Sequence, residues 1–143
     1  MAHFAELDTR NKVLRVLVVD NGDSGGGDLS SENVGIGFCQ SLFGAHTIWK
    51  QTSYNASFRG NYAGPGSVYM EGVATLGVGS TDIFIDPQPF DSWTLSTTKA
   101  IWIPPTNPGE APALSADELA ADKWYEWNDS NYNADPSTAW VLR

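Results

Sequence analysis

Two tryptophan-bracketed segments constrain the fold more than any other part of this chain. The first runs from Ser92-Trp93-Thr94-Leu95 through a Ser/Thr/Lys centre to Ile101-Trp102-Ile103-Pro104-Pro105. The second runs from Tyr125-Glu126-Trp127-Asn128-Asp129 to Trp140-Val141-Leu142. In each, aromatic or β-branched ends flank a polar middle, which is the pattern of a strand–turn–strand unit. An isolated hairpin is marginal in water, so rings this large need a covering surface. The rest of the domain, another copy or a partner would supply it.

A chain of 143 residues is long enough for one domain that buries about two thirds of its unfolded surface. It needs no disulfide, and the single cysteine, Cys39, cannot form one internally. The N-terminal Met1-Ala2-His3-Phe4-Ala5-Glu6 lacks the regions of a signal peptide, and apolar stretches fall far short of the ~20 residues of a spanning helix. A soluble protein made in the cytoplasm is expected, with no membrane partner. Net charge is −9 and uneven: residues 1–63 carry six acids and five bases, residues 64–143 eleven and three. A groove that tracks phosphates needs clustered Lys and Arg, so direct nucleic-acid binding is not expected.

Alternation predicts a first hairpin from His3–Leu7 and Lys12–Asp20 around the short polar connection Asp8-Thr9-Arg10-Asn11. The second strand is apolar on both faces, which predicts a central position in its sheet. Asn21–Asp28 reads as a mobile loop. A helix is predicted over 31–43, with Ser30 or Ser31 as N-cap, Gly44 at the C-cap, and Val34, Phe38 and Leu42 as its stripe with Cys39 and Phe43 beside it. Gly35 and Gly37 weaken that helix unless they let it pack close to the sheet. Further strands are predicted at Thr47–Tyr54, Val68–Val78 and Asp82–Ile85. Pro104–Pro112 reads as a stiff linker. Ser115-Ala116-Asp117-Glu118 fits a capping box opening a short helix to about Ala121. The class expected is mainly β, a β-sandwich or jelly-roll-like fold with one or two short helices. Its divisions are a core over 1–90 and a Trp-rich hairpin region over 91–143, packed on the same domain or on a neighbour.

Several patterns suggest chemistry and fail on context. Gly22-Asp23-Ser24-Gly25-Gly26 spells the nucleophile loop of chymotrypsin-like proteases, but only His3 precedes the serine, and the chain is too short for two barrels. The same loop lacks the ligand spacing of an EF-hand. His3, His46 and Cys39 are too few for a zinc site. Asp82, Asp86 and Asp91 flank aromatics, but acidic turn residues beside strands are commonplace. No catalytic residue, metal or cofactor is therefore expected, and the chain is read as a non-enzyme. The aromatic residues Trp93, Trp102, Trp127, Trp140, Tyr62 and Phe90 are the interface candidates, with core, protein-interface and glycan-stacking roles all open to the tryptophans.

Several blocks carry a family resemblance. They include Met1–Asp8, Val13–Val19, Phe38-Cys39-Gln40-Ser41-Leu42-Phe43-Gly44, Trp49–Asn55, Phe58–Gly64, and Phe84-Ile85-Asp86-Pro87-Gln88-Pro89-Phe90-Asp91-Ser92-Trp93-Thr94-Leu95. In these, covering about a third of the chain in order, the sequence resembles small virion structural proteins of tailed phages that infect cyanobacteria and marine bacteria. The Gly-rich loop at 22–28, the apolar stretch after Gly64-Pro65-Gly66 and the segment 104–121 depart from that pattern. The resemblance implies a capsid decoration, or cement, protein outside the shell. Its partners would be the major capsid protein and further copies of itself, as a trimer at three-fold positions or a dimer. The alternative is a receptor- or glycan-binding module of a tail fibre or appendage.

Overall fold

Alternation in the first twenty residues builds an antiparallel pair. Strands β1 (Ala2–Leu7) and β2 (Val13–Val19) pair from Ala2 opposite Val19 to Leu7 opposite Val13, with an irregularity at Glu6/Leu7. The Asp8 carboxylate closes the turn by accepting from the N–H groups of Arg10 (2.8 Å) and Lys12 (2.9 Å). Strand β3 (Ile48–Thr52) joins the other side of β1, giving the order β2-β1-β3. The computed structural model describes residues 1–73 and 81–143. Its contacts divide into two units, Met1–Pro87 with Ser96–Ile101, and Gln88–Leu95 with Trp102–Arg143.

In the first unit the two faces of this sheet are covered by different things. Helix α1 is a four-residue turn, Asn21–Ser24, where a mobile loop was expected; the Asp20 side chain caps it through Gly22 N–H. After a 3₁₀ turn at Leu29–Ser31, helix α2 spans Glu32–Phe43. It covers one sheet face, and Ala2, Phe4, Val19, Cys39 and Trp49 form the core there with Ile36, Phe38 and Phe43 packed against it. Gly35 is what permits the approach: a Cβ on it would lie 2.0 Å from the Phe4 ring. The expected stripe is corrected in part: Val34 and Leu42 are exposed and Gly35 is buried, while Phe38, with Cys39 and Phe43 beside it, packs inward as expected. The small side chains turn inward because the flat Phe4 ring, itself fully buried, already fills the space.

On the opposite face lies a hairpin of β4 (Val68–Met70) and β5 (Ile83–Ile85), with Val68 opposite Ile85. Residues 74–78 of the longer strand expected here lie outside the described residues. Tyr69 and Phe84, with ring centres 5.0 Å apart, join Ala5, Leu7, Val13 and Ala63 in a second core. This two-sided cover explains why β2 is apolar on both faces without being central. It is an edge strand, contrary to expectation: apolar faces report the layers above and below a strand, not its lateral neighbours.

Strands β6 (Thr94–Ser96) and β7 (Ile101–Ile103) form the first Trp hairpin, and the division between units falls within it. In the second unit, helix α3 (Ala116–Ala120) carries the expected capping box, Glu118 N–H to Ser115 Oγ at 3.2 Å and Ser115 N–H to Glu118 Oε2 at 3.1 Å. Strands β8 (Tyr125–Trp127) and β9 (Trp140–Leu142) pair antiparallel. Their connection holds helix α4 (Asp129–Ala134), capped by Asn128, and a 3₁₀ turn at Pro136–Thr138, capped by Asp135. The described residues are 24% helix and 28% strand, a mixed fold of small antiparallel sheets with no closed barrel. The expectation of a mainly β chain holds for its hairpins and not for its balance. No helix among the described residues is long and apolar enough to cross a membrane.

Candidate functional site

Where β1 begins and β3 ends, His3 lies opposite Thr52, and the chain turns through Ser53–Ser57. Three rings collect there. His3 stacks on Tyr54 with centres 5.4 Å apart and planes 24° from parallel, and meets Tyr62 edge-on at 5.5 Å. Tyr54 and Tyr62 are 5.5 Å apart. Burial, then the N-terminal charge, lowers the His3 pKa, so its ring is neutral at pH 7. Tyr54 is 73% exposed, so with one face on His3 its other face is open to water. Beneath the turn the buried Ser53 hydroxyl donates to Asn55 Oδ1 (2.8 Å) and accepts from Ser57 N–H (2.9 Å). A groove of about 610 Å³ opens beside these residues, with Gly27, Asp28 and Leu29 also in its lining.

An ion pair under the groove fixes the outer edge of β3. Arg59 is held at φ 55° and is buried, and its Nη2 reaches Glu32 Oε1 at 3.1 Å while Nη1 donates to Oε2. Nη1 also donates to the Gln51 carbonyl (2.9 Å), and Glu32 Oε2 accepts from Gln51 N–H (2.7 Å). One pair thus satisfies both edge-facing backbone groups of Gln51. Burial works against the charged guanidinium, but Glu32 outweighs it and holds the Arg59 pKa above its ordinary value. Beyond Arg59, Tyr69 donates to Asp82, which also accepts from Gly72 N–H at 2.9 Å. Burial, then that hydrogen bond, pushes the Tyr69 hydroxyl upward.

The β2 edge is different. Val13 exchanges hydrogen bonds with Ser67 and Gly66, but among the described residues no strand pairs with that edge beyond Val13. Leu14 and Val18 are 51% and 57% exposed.

The structure distributes the six aromatic candidates unevenly. Phe90, Trp93, Trp127 and Trp140 come together within the second unit, with Tyr132 beside them. Trp127 is at the centre, 5.1 Å from Trp140 and 5.7 Å from Trp93, both near-perpendicular. Its indole N–H donates to Asp129 Oδ1 (3.0 Å), an oxygen that also accepts from Ser92, and these two bonds lower the Asp129 pKa. Trp140 donates to the Gly109 carbonyl at 2.9 Å. Trp102 is half-buried on β7. Tyr62 stands apart from all of these, in the ring cluster with His3 and Tyr54. Sequence reasoning weighed His3 only as a metal ligand or catalytic base, and missed Tyr54 and Trp124, the latter 57% exposed.

The candidate nucleophiles are placed unfavourably for chemistry. Ser24 ends α1, is buried, and its hydroxyl has no hydrogen-bond partner among the described residues, none of which stands as a base to it. Burial pushes the Cys39 thiol up to about 11. No group of three or more metal-ligating side chains occurs among the described residues. Comparison with protein-family models, curated proteins and solved structures finds no match to this chain.

Proposed function

We propose that this chain is a virion structural protein of a tailed phage, a capsid decoration protein that bridges major capsid subunits on the outer shell. The observation that carries the reading, beside the sequence resemblance, is the contrast between the two edges of the three-stranded sheet. An open apolar edge strand is a template for pairing with another chain, and proteins that work alone blunt such edges. Here β3 is blunted by the Glu32–Arg59 pair, while β2 presents Leu14 and Val18 with a single charge, Arg15, between Val13 and Val19. A protein that spends its working life against neighbouring subunits has no need to protect that strand. Repetition around symmetric shell positions turns modest contacts into avidity. A trimer, or a dimer, places several such edges at one site.

The test is copy number and rebinding. Quantitative mass spectrometry of virions that carry this chain should count on the order of hundreds of copies, as expected of a symmetric shell component. The purified protein should sediment with empty heads, and Val18→Lys should abolish that co-sedimentation. A count of a few to a few dozen, or no binding to heads, overturns the shell assignment in favour of a tail location.

A further inference from the structure

We propose that the Tyr54 groove is a binding site for a neutral saccharide, with one hexose ring stacked on the open face of Tyr54. Three observations converge on that chemistry. First, the ring is presented rather than packed. Tyr54 is 73% exposed yet orientated, because His3 stacks behind it and Tyr62 meets it edge-on. A pyranose has one face of polarised C–H groups, which suits the negative face of such a ring. Second, hydroxyl partners of both kinds stand at the groove. Ser53 holds Asn55 by its Oδ1, which leaves the amide N–H₂ to donate, and the exposed Asp28 carboxylate accepts. Third, the volume of about 610 Å³ lies in the range of small-ligand sites and admits two or three sugar rings.

The same surroundings disfavour other ligands. An anionic ligand meets a chain of net charge −9, the Asp28 carboxylate and a neutral His3, with no Lys or Arg in the lining and only the N-terminal ammonium of Met1 to offset them. An extended peptide would need the β3 edge at Gln51, which Glu32 and Arg59 already occupy. The inference does not depend on the capsid assignment: heads can be bound without sugar, and sugar without heads.

The experiment is a titration of the full chain by saturation-transfer and ¹H–¹⁵N NMR. The probes are neutral hexaoses of glucose, mannose, galactose and N-acetylglucosamine, each to about 10 mM, a range that captures weak single-site affinities. Dextran sulfate serves as the charged probe. At least one neutral hexaose should shift the signals of residues 1–3, 27–29 and 51–58 and receive saturation. Tyr54→Ala should weaken it at least tenfold, Tyr54→Phe by no more than about twofold, since the ring and not the hydroxyl makes the platform. Trp124→Ala, in the other unit, should leave it unchanged. Absence of shifts with all four neutral hexaoses, equal binding by Tyr54→Ala, or tighter binding of dextran sulfate would overturn the proposal. Co-sedimentation with heads in the Tyr54→Ala protein separates failure here from failure of the capsid reading.

Discussion

The two units hold themselves together by different means. In the first, a three-stranded sheet takes an aliphatic and aromatic core on each face, and a buried ion pair finishes one edge. In the second, strands of three residues are too short to bury much, and indole rings packed edge to face take the place of a sheet core. The difference teaches where to look for surface. The unit richest in tryptophan spends Trp93, Trp127 and Trp140 on itself. The open aromatic platform belongs to the unit whose core is ordinary, and it is built from His3, Tyr54 and Tyr62.

The sharpest way to break this comparison is to remove the ring at the centre of the second unit. Trp127 is 4% exposed and touches four other aromatic rings. Trp127→Ala should cost about 4 kcal/mol, the usual scale for deleting a buried indole, read as the fall in the urea midpoint. A loss below about 1 kcal/mol would show that the rings do not form a core.

Next in size is the polar counterpart in the first unit. Arg59→Ala strands the Glu32 carboxylate and the Gln51 carbonyl together. With side-chain exposures of 7% for Arg59 and 14% for Glu32, the loss should be about 3 kcal/mol, the lower end for a broken buried pair, because Glu32 can turn partly toward water. The double variant Arg59→Met/Glu32→Leu removes the stranded charge but leaves Gln51 N–H and C=O without partners, so it should recover only part of that loss. No recovery would mean that the lost backbone partners, or the positive φ at Arg59, and not the stranded charge, set the cost.

Asp82 offers a smaller, pH-dependent handle on the same unit. Burial works against its charge, but the hydrogen bonds from Tyr69 and Gly72 and the charges of Arg59 and Lys50 outweigh burial, so its pKa lies below the ordinary aspartate value of 3.8. The stability it contributes is therefore complete above pH 3.8 and is lost as pH falls through the lower folded value. Asp82→Asn should flatten the acid limb of a stability-versus-pH curve below pH 4 and leave its slope at neutral pH unchanged; an unaltered acid limb would remove Asp82 from the network.

Much of this was legible in the chain and some was not, for identifiable reasons. The Ser115/Glu118 capping box and the first hairpin are set by local chemistry within a few residues, and both are found as read. Helix α4 was missed because Asn128 and Asp135 are turn formers and N-caps alike, and only the chain between them decides which. The inward face of α2 was misread at Val34 and Leu42 because the hydrophobic stripe ignores size, whereas packing against Phe4 selects Gly35. The β2 edge position was hidden because burial on two faces looks the same for an edge strand between layers as for a central one. Tyr54 carried no local signal: its role comes from pairing His3 with Thr52, a contact 49 positions apart in the chain.

The smallest effect makes the cleanest contrast, because it lies three residues from the largest. Trp124 precedes β8 and exchanges backbone hydrogen bonds with Arg143, yet its side chain is 57% exposed while that of Trp127 is buried. Removing an indole already in water forfeits little transfer free energy, so Trp124→Ser should change stability by no more than about 0.5 kcal/mol. The same substitution should raise solubility at high protein concentration, since a large exposed ring favours association. If Trp124→Ser were instead as damaging as Trp127→Ala, then its ring would be covered in solution, and the surface it faces in an oligomer of this chain would be the place to look for the neighbour.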